Sequence, residues 1–174
     1  MSFEFDFKVY SAAEREQIKK AASLIAEERR TGLIISGSYG CGKTSLARHM
    51  CPNAPLVPLT RRDGVYQLTS GYADLTAQSF VSEPVVILDD LGNERPCNEY
   101  GNVSETVGDF ILERHEYRQR HYDEAGFVSI LIITTNLTVN EINERYGGRV
   151  VSRLKDLCIP LRLAGKDLRQ WRKL

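Results

Sequence analysis

Gly37-Ser-Tyr-Gly-Cys-Gly-Lys-Thr44 follows directly on the apolar run Gly32-Leu-Ile-Ile-Ser36, and this junction narrows the possible folds more than any other feature of the sequence. It matches G-x-x-x-x-G-K-[ST] at every fixed position. The apolar run predicts a buried strand. Residues 43–50 predict a helix that stops before Pro52, because proline disfavours helical geometry in the residue before it. At an average glycine usage of about 7%, a chance match in a chain this short is well under about 1%, before strand and helix are required around it. Glycines let the backbone turn its N–H groups inward around phosphates, and the helix start adds its positive dipole end. Lys43 can reach β- and γ-phosphates, and the Thr44 hydroxyl can face Mg²⁺. The candidate phosphate-binding set is therefore Gly37, Ser38, Tyr39, Gly40, Cys41, Gly42, Lys43, Thr44 and Ser45, with ATP and Mg²⁺ as the implied cofactors.

Helix and strand signals alternate along the 174 residues, which argues for an α/β fold with a parallel sheet between layers of helices. Ser11-Ala-Ala-Glu14 has capping-box spacing, and Ile18, Ala22 and Ile25 recur on one face, so residues 12–30 read as an opening amphipathic helix. Strands are expected at 32–36, 85–89, 129–134 and 159–163, and a long helix at 105–122. Between 55 and 82 the signals are weaker. They give a strand at 56–60 or 65–69 and a short helix near Ala73. Thr138-Val-Asn-Glu141 repeats the capping-box spacing and opens a helix that Gly147-Gly148 closes, followed by helical 149–157. The expected organisation is an N-terminal extension over 1–30 and an ATPase domain over 31–174.

Two further segments carry candidate chemistry. Val85-Val-Ile-Leu-Asp-Asp90 is an apolar strand ending in two carboxylates. Asp89 is expected to hold Mg²⁺ through water and Asp90 to orient the attacking water. Ile130-Leu-Ile-Ile-Thr-Thr-Asn136 ends in neutral polar groups, with Asn136 placed to contact a γ-phosphate or the attacking water, or simply to form a turn. Arg149 and Arg153 lie four apart and share a helical face, while Val150, Val151, Leu154 and Leu157 cover much of the other. Outward arginines can enter a neighbouring subunit's site or form surface salt bridges. Nine basic residues between Arg145 and Leu174 face only Asp156 and Asp167, so this end suits an anionic partner or a solvated face.

The longest apolar runs are far too short to span a bilayer, and no basic start with an apolar core opens the chain. The expectation is a cytoplasmic protein without a membrane partner. Cys41, Cys51, Cys97 and Cys158 show no zinc spacing and read as free thiols.

Taken together these segments resemble the AAA+ ATPases of the bacterial replicative-helicase loader group, DnaC and DnaI, and the related IstB transposition helper ATPases. The likeness runs from about Thr31 to Arg169. It rests on Gly37–Thr44 as Walker A, Leu88-Asp-Asp-Leu-Gly92 as Walker B and Thr134-Thr-Asn-Leu137 as sensor 1. Glu144-Arg-Tyr-Gly-Gly-Arg-Val-Val-Ser-Arg-Leu154 is the arginine-finger segment, and Gly165-Lys-Asp-Leu-Arg169 is the closing G-x-x-x-R. The resemblance implies a three-layer αβα P-loop fold with about five parallel strands. It implies Arg153 as the finger with Arg149 close behind, and Arg169 as a sensor 2-like contact to nucleotide in its own chain. It also implies a homo-oligomer joined through the arginine face, with a replicative helicase and single-stranded DNA as partners. Loaders of this group carry a separate N-terminal region that grips the helicase, whereas only 1–30 precede the first strand here, and the 68–85 connection is shorter than the family's. Tyr72 and Phe80 are candidates for stacking on bases or for the core. Outside this family, the competing classes are a small-molecule P-loop kinase and a non-hydrolysing ATP-dependent binding module.

Overall fold

The computed structural model describes residues 7–28, 32–59, 66–68, 71–73, 78–94, 97–99, 102–104, 106–165 and 167–168. After a turn of 3₁₀ helix at Phe7–Val9 the elements run α1 (Ala12–Glu28), β1 (Gly32–Gly37), α2 (Lys43–Met50), β2 (Leu56–Pro58), β3 (Tyr66–Leu68), β4 (Gly71–Ala73) and α3 (Gln78–Val81). They continue as β5 (Val85–Leu91), β6 (Cys97–Glu99), β7 (Asn102–Ser104), α4 (Thr106–His121), β8 (Ile130–Thr135), α5 (Val139–Leu157) and β9 (Cys158–Leu163).

Five of these strands form one sheet in the order β2-β5-β8-β1-β9, with every pairing parallel. Parallel strands must be buried on both faces, and the apolar runs at 33–35, 85–88 and 130–133 supply side chains to both. Val86, Leu88, Leu131 and Ile133 point into one core with Val107, Phe110 and Ile111 of α4 and Ile142, Val150 and Leu154 of α5. Leu33, Ile35, Ile87 and Ile132 point into the other with Ile18, Ala21 and Ile25 of α1 and Leu46 and Ala47 of α2. The result is the three-layer αβα arrangement with a five-stranded parallel sheet. It places the C-terminal ends of β1, β5 and β8 side by side, where open α/β sheets bind ligands.

Arg114 of α4 is fully buried. Its guanidinium donates to the carbonyls of Val81, Pro84 and Ile130, tying α3 and the entries of β5 and β8 together, and burial lowers its pKa to about 10. The charge is therefore retained at neutral pH, met directly by carbonyl dipoles and at longer range by Glu83.

Both capping boxes form. The Ser11 N–H and hydroxyl donate to Glu14, whose own N–H donates back, and Thr138 and Glu141 repeat the pattern. Gly147 breaks α5 with non-helical angles, φ 82 and ψ 162, where the glycine pair predicts a stop. One expectation needs correction, and one alternative is decided. Ala73 is not helical: it pairs with Tyr66 in an antiparallel hairpin, because cross-strand pairing overrides a weak local signal, and the short helix lies at Gln78–Val81. Phe80 belongs to the core against Phe110, not to a stacking surface, while the Tyr72 side chain lies outside the described residues. A second hairpin, β6–β7, follows β5 without having been foreseen.

Candidate functional site

The loop after β1 is shaped by what glycine permits. A Cβ on Gly37, at φ 156, would lie 2.3 Å from the Leu163 carbonyl oxygen. One on Gly42, at φ 92, would lie 2.7 Å from the Tyr10 hydroxyl. Side chains at these two positions would push the loop away from β9 and from the N-terminal segment. Gly42 caps α2, so the helix opens directly beneath the turn.

Lys43 folds back under the loop and is buried there. Its Nζ donates to the carbonyls of Gly37 (3.1 Å) and Ser38 (2.9 Å) and to Asn136 Oδ1 (2.6 Å), using all three ammonium protons. The Lys43–Asn136 bond joins the loop to the end of β8 across 93 residues of sequence. Thr44 Oγ1 donates to Asp89 Oδ1 at 2.8 Å, joining α2 to β5. Asp89 accepts a second hydroxyl from the buried Thr134 at 2.7 Å. The same Thr134 oxygen accepts the Asp90 N–H at 2.9 Å.

That last bond marks a bulge. Register between β5 and β8 is regular through Leu88 and shifts before Leu91, and Asp90 takes a left-handed backbone, φ 63. The irregularity turns two consecutive carboxylates to different tasks. Asp89 stays inside with the hydroxyls, and Asp90 lines the cleft. A cleft of about 310 Å³ is bounded by Tyr39, Gly40, Gly42, Lys43, Thr44, Ser45, Asp90, Asn136 and Leu168. This volume is at the lower end of small-molecule sites, roughly 300–1,000 Å³.

The structure thus brings Gly37, Ser38, Tyr39, Gly40, Gly42, Lys43, Thr44, Ser45, Asp89, Asp90 and Asn136 to one place. Tyr39 stands out at the loop tip, 72% exposed. Cys41 turns its side chain away into the core, where burial pushes the thiol pKa up against the opposing pull of Lys43. Among the described cysteines, Cys41, Cys51 and Cys158 are free. Arg149 and Arg153 stand apart from the cleft on α5. Arg149 is 68% exposed beside Glu116 at 3.5 Å, and Arg153 is 38% exposed beside Asp156 at 3.7 Å. Exposed pairs of this kind contribute about 0–1 kcal/mol, so both guanidiniums can be recruited elsewhere at small cost. Arg169 lies outside the described residues.

The sequence reading passed over several residues that build the site. Tyr10 donates its hydroxyl to the Gly42 carbonyl at 3.2 Å, and burial raises its pKa. Glu14 accepts the Ala164 N–H at 2.8 Å. Burial pushes its carboxyl up, but the bonds from Ser11, Ala164 and Gly165 outweigh this and hold it below the usual range. Leu168 donates its N–H to the Gly40 carbonyl at 3.0 Å, and the Ser38 hydroxyl donates to the Gly165 carbonyl at 3.3 Å. The segments flanking the sheet at both ends therefore brace the loop. The only sequence signals for this were the Ser11–Glu14 box and the closing Gly165 motif.

Among the described residues, three or more His, Cys, Asp or Glu do not gather as a metal cluster, and no helix is long and apolar enough to cross a membrane. No protein-family model and no curated protein sequence matches the chain. Solved structures do resemble it. The DnaC helicase loader superposes with a TM-score of 0.53 at 21% identity, over 88% of this chain and 92% of that one. Cdc6p from Pyrobaculum aerophilum gives 0.51 at 15% identity, over 92% of this chain and 50% of its own. Domain III of the replication initiation protein DnaA from Thermotoga maritima gives 0.50 at 13%, over 92% and 69%. The chain thus shares its overall fold with the DnaC helicase loader and with domain III of the replication initiation protein DnaA.

Proposed function

We propose that this chain binds ATP with Mg²⁺ in the cleft above α2 and hydrolyses it when assembled with further copies of itself, acting as an assembly factor in DNA replication similar to a helicase loader. The observation that carries the reading is the convergence on one cleft of an ammonium, a threonine hydroxyl, a carboxylate and an amide from three neighbouring strand ends. Lys43 holds its charge against two loop carbonyls and Asn136, so an incoming phosphate oxygen can replace a neutral acceptor with an anionic one. Thr44 and Asp89 form an all-oxygen pair at 2.8 Å, the donor chemistry that suits Mg²⁺, and these two residues would hold it. When bound there, Mg²⁺ would supply positive charge to offset the negative charge that develops on the phosphates. Asp90, turned into the cleft by its bulge, orients the attacking water, and Asn136 fixes the position of Lys43 and of the γ-phosphate end.

Arg153, with Arg149 beside it, completes a neighbour's site from outside. Neither arginine lines its own chain's cleft, and their ion-pair partners Glu116 and Asp156 lie on α4 and α5. Oligomerisation, a helicase partner and contact with single-stranded DNA belong to this reading. Support for the replication role comes from the DnaC and DnaA likenesses together with the motif set.

The test is the ATPase rate per subunit against protein concentration, with and without single-stranded DNA. A shared site makes the rate per subunit climb with concentration. Arg153→Ala should leave nucleotide affinity within about threefold and lower turnover by about 10³ or more. Lost binding with normal turnover per occupied site would overturn the assignment. Turnover indistinguishable from zero under all conditions would favour a non-hydrolysing module.

A further inference from the structure

Beyond the cleft, a second polar cluster is buried at the exit of β5. Glu94 is only 4% exposed. Its carboxylate accepts the Gly92 N–H at 3.0 Å, faces Arg145 Nη2 at 3.2 Å and accepts the Tyr146 hydroxyl. Arg145 also forks over the main chain, donating to the carbonyls of Gly92 and Glu94. Four of these polar contacts fasten the three-residue turn to the first half of α5, across more than fifty residues of sequence.

Both ends of this fastening matter. The turn begins at Asp90, whose carbonyl accepts the Asn93 N–H at 3.0 Å and whose left-handed backbone carries a carboxylate into the cleft. Helix α5 continues beyond Tyr146 through the Gly147 break, and its second half bears Arg149 and Arg153 while Val150 and Leu154 anchor it in the core. A Cβ at Gly147 would meet nothing within 4 Å, so the break is not enforced by packing around it. Asp90 is thus bonded to the turn through the Asn93 N–H, and the turn is bonded to Arg145 and Tyr146.

A buried carboxylate with a charged partner and a phenol is costly to assemble unless every bond is made. As a staple alone it does no more than an apolar contact could do, and the neighbouring elements already supply such contacts, since Leu91 and Ile142 belong to the same apolar core as Tyr146. Its distinctive property is directional: it fixes a carboxylate-bearing turn and an arginine-bearing helix in one register.

We propose that Glu94, with Arg145 and Tyr146, is a positioning group that couples the carboxylate side of one chain's cleft to the arginines this chain presents to its neighbour. The inference rests on the shared-site reading above. It makes the presentation of Arg153 depend on the state of the β5 exit, so that a subunit's own site sets what it offers next door.

The experiment separates a pocket-giving chain from an arginine-giving one. Arg153→Ala supplies a working cleft without its arginine, Lys43→Ala supplies the arginine without a working cleft, and an equimolar mixture recovers ATP hydrolysis if sites are shared. Glu94→Gln, which keeps the shape and loses the charge toward Arg145, is then added to the Lys43→Ala chain only, and Tyr146→Phe is tested in the same background. Each should lower the recovered rate by about tenfold, within the range by which coupling residues distant from ligand act, while ATP affinity of the Arg153→Ala chain is unchanged. A role confined to local stability moves the melting temperature but not the recovered rate. Recovery that stays within about twofold of the unmodified mixture in both backgrounds overturns the coupling and leaves the shared site standing. A mixture that recovers nothing, from a parent whose rate per subunit does not rise with concentration, refutes the shared site and the coupling with it; no recovery from a parent whose rate does rise is the coupling at its limit, an empty cleft withholding its arginine. If Glu94→Gln does not fold, Tyr146→Phe decides, since it removes one hydroxyl from an otherwise unchanged ring.

Discussion

Replacing Thr134 by valine keeps the shape of a fully buried side chain and removes one hydroxyl, and the structure sets the size of the effect. That hydroxyl donates to Asp89 at 2.7 Å and accepts the Asp90 N–H at 2.9 Å. A hydrogen bond to a charged group is worth about 1.5–3 kcal/mol, and an orphaned buried N–H costs about 1–3 kcal/mol. Asp89 keeps its Thr44 partner, which favours the low end, so the loss should be about 3 kcal/mol. For a chain of this size each kcal/mol moves the melting temperature by roughly 2–4 °C, giving a fall of about 6–12 °C. Thr134→Ser retains both bonds and loses one methyl, about 1 kcal/mol, and should melt only about 2–4 °C below the parent. Thermal unfolding followed by far-ultraviolet circular dichroism, without nucleotide and at one protein concentration, compares the three. Equal melting of the valine and serine variants would refute the view that this hydroxyl sets the bulge.

Three further outcomes follow from other parts of the molecule. Gly42→Ala forces a Cβ to within 2.7 Å of the Tyr10 hydroxyl on a left-handed backbone, and should cost about 1–3 kcal/mol while weakening ATP binding, both read by melting with and without ATP. Tyr10→Phe in the same background should restore part of that stability, since the hydroxyl is the atom in the way. The Glu14 carboxyl is held below its unfolded value near 4.5, so its contribution is present above that pH and is lost as pH falls through the folded value. Urea unfolding should therefore show Glu14→Gln destabilised at pH 7, with the gap to the parent closing below pH 4.5. Arg114→Met strands the carbonyls of Val81, Pro84 and Ile130 and should cost about 3 kcal/mol or more in the same assay, with ATP affinity of whatever remains folded unaltered.

What the sequence disclosed and what it withheld divide along physical lines. Residues 37–44 were legible because a backbone that wraps phosphate tolerates few side chains, and the strand and helix around it follow from an apolar run and a proline. The two capping boxes were legible because their partners are three residues apart. Gly147 was legible as a stop but not as a kink, since the continuation of α5 depends on Val150 and Leu154 finding the core. Ala73 misled because a short segment has little periodicity of its own and its pairing with Tyr66 decides. The bulge at Asp90 could not be foreseen, because it is set by a hydroxyl 44 residues away. Glu94, Arg145 and Tyr146 were hidden for the same reason: each is an ordinary surface-type residue until the fold buries them together.

Central to the whole account is an ammonium waiting in a cradle of main-chain oxygens. Isothermal titration of ATP with Mg²⁺ into the parent and into Lys43→Ala measures its worth directly. Loss of one charge-assisted contact of about 2–3 kcal/mol predicts affinity weaker by roughly 30- to 150-fold, while the acceptors stranded on Gly37, Ser38 and Asn136 also lower the melting temperature without nucleotide. Equal affinity for the two proteins would contradict the account.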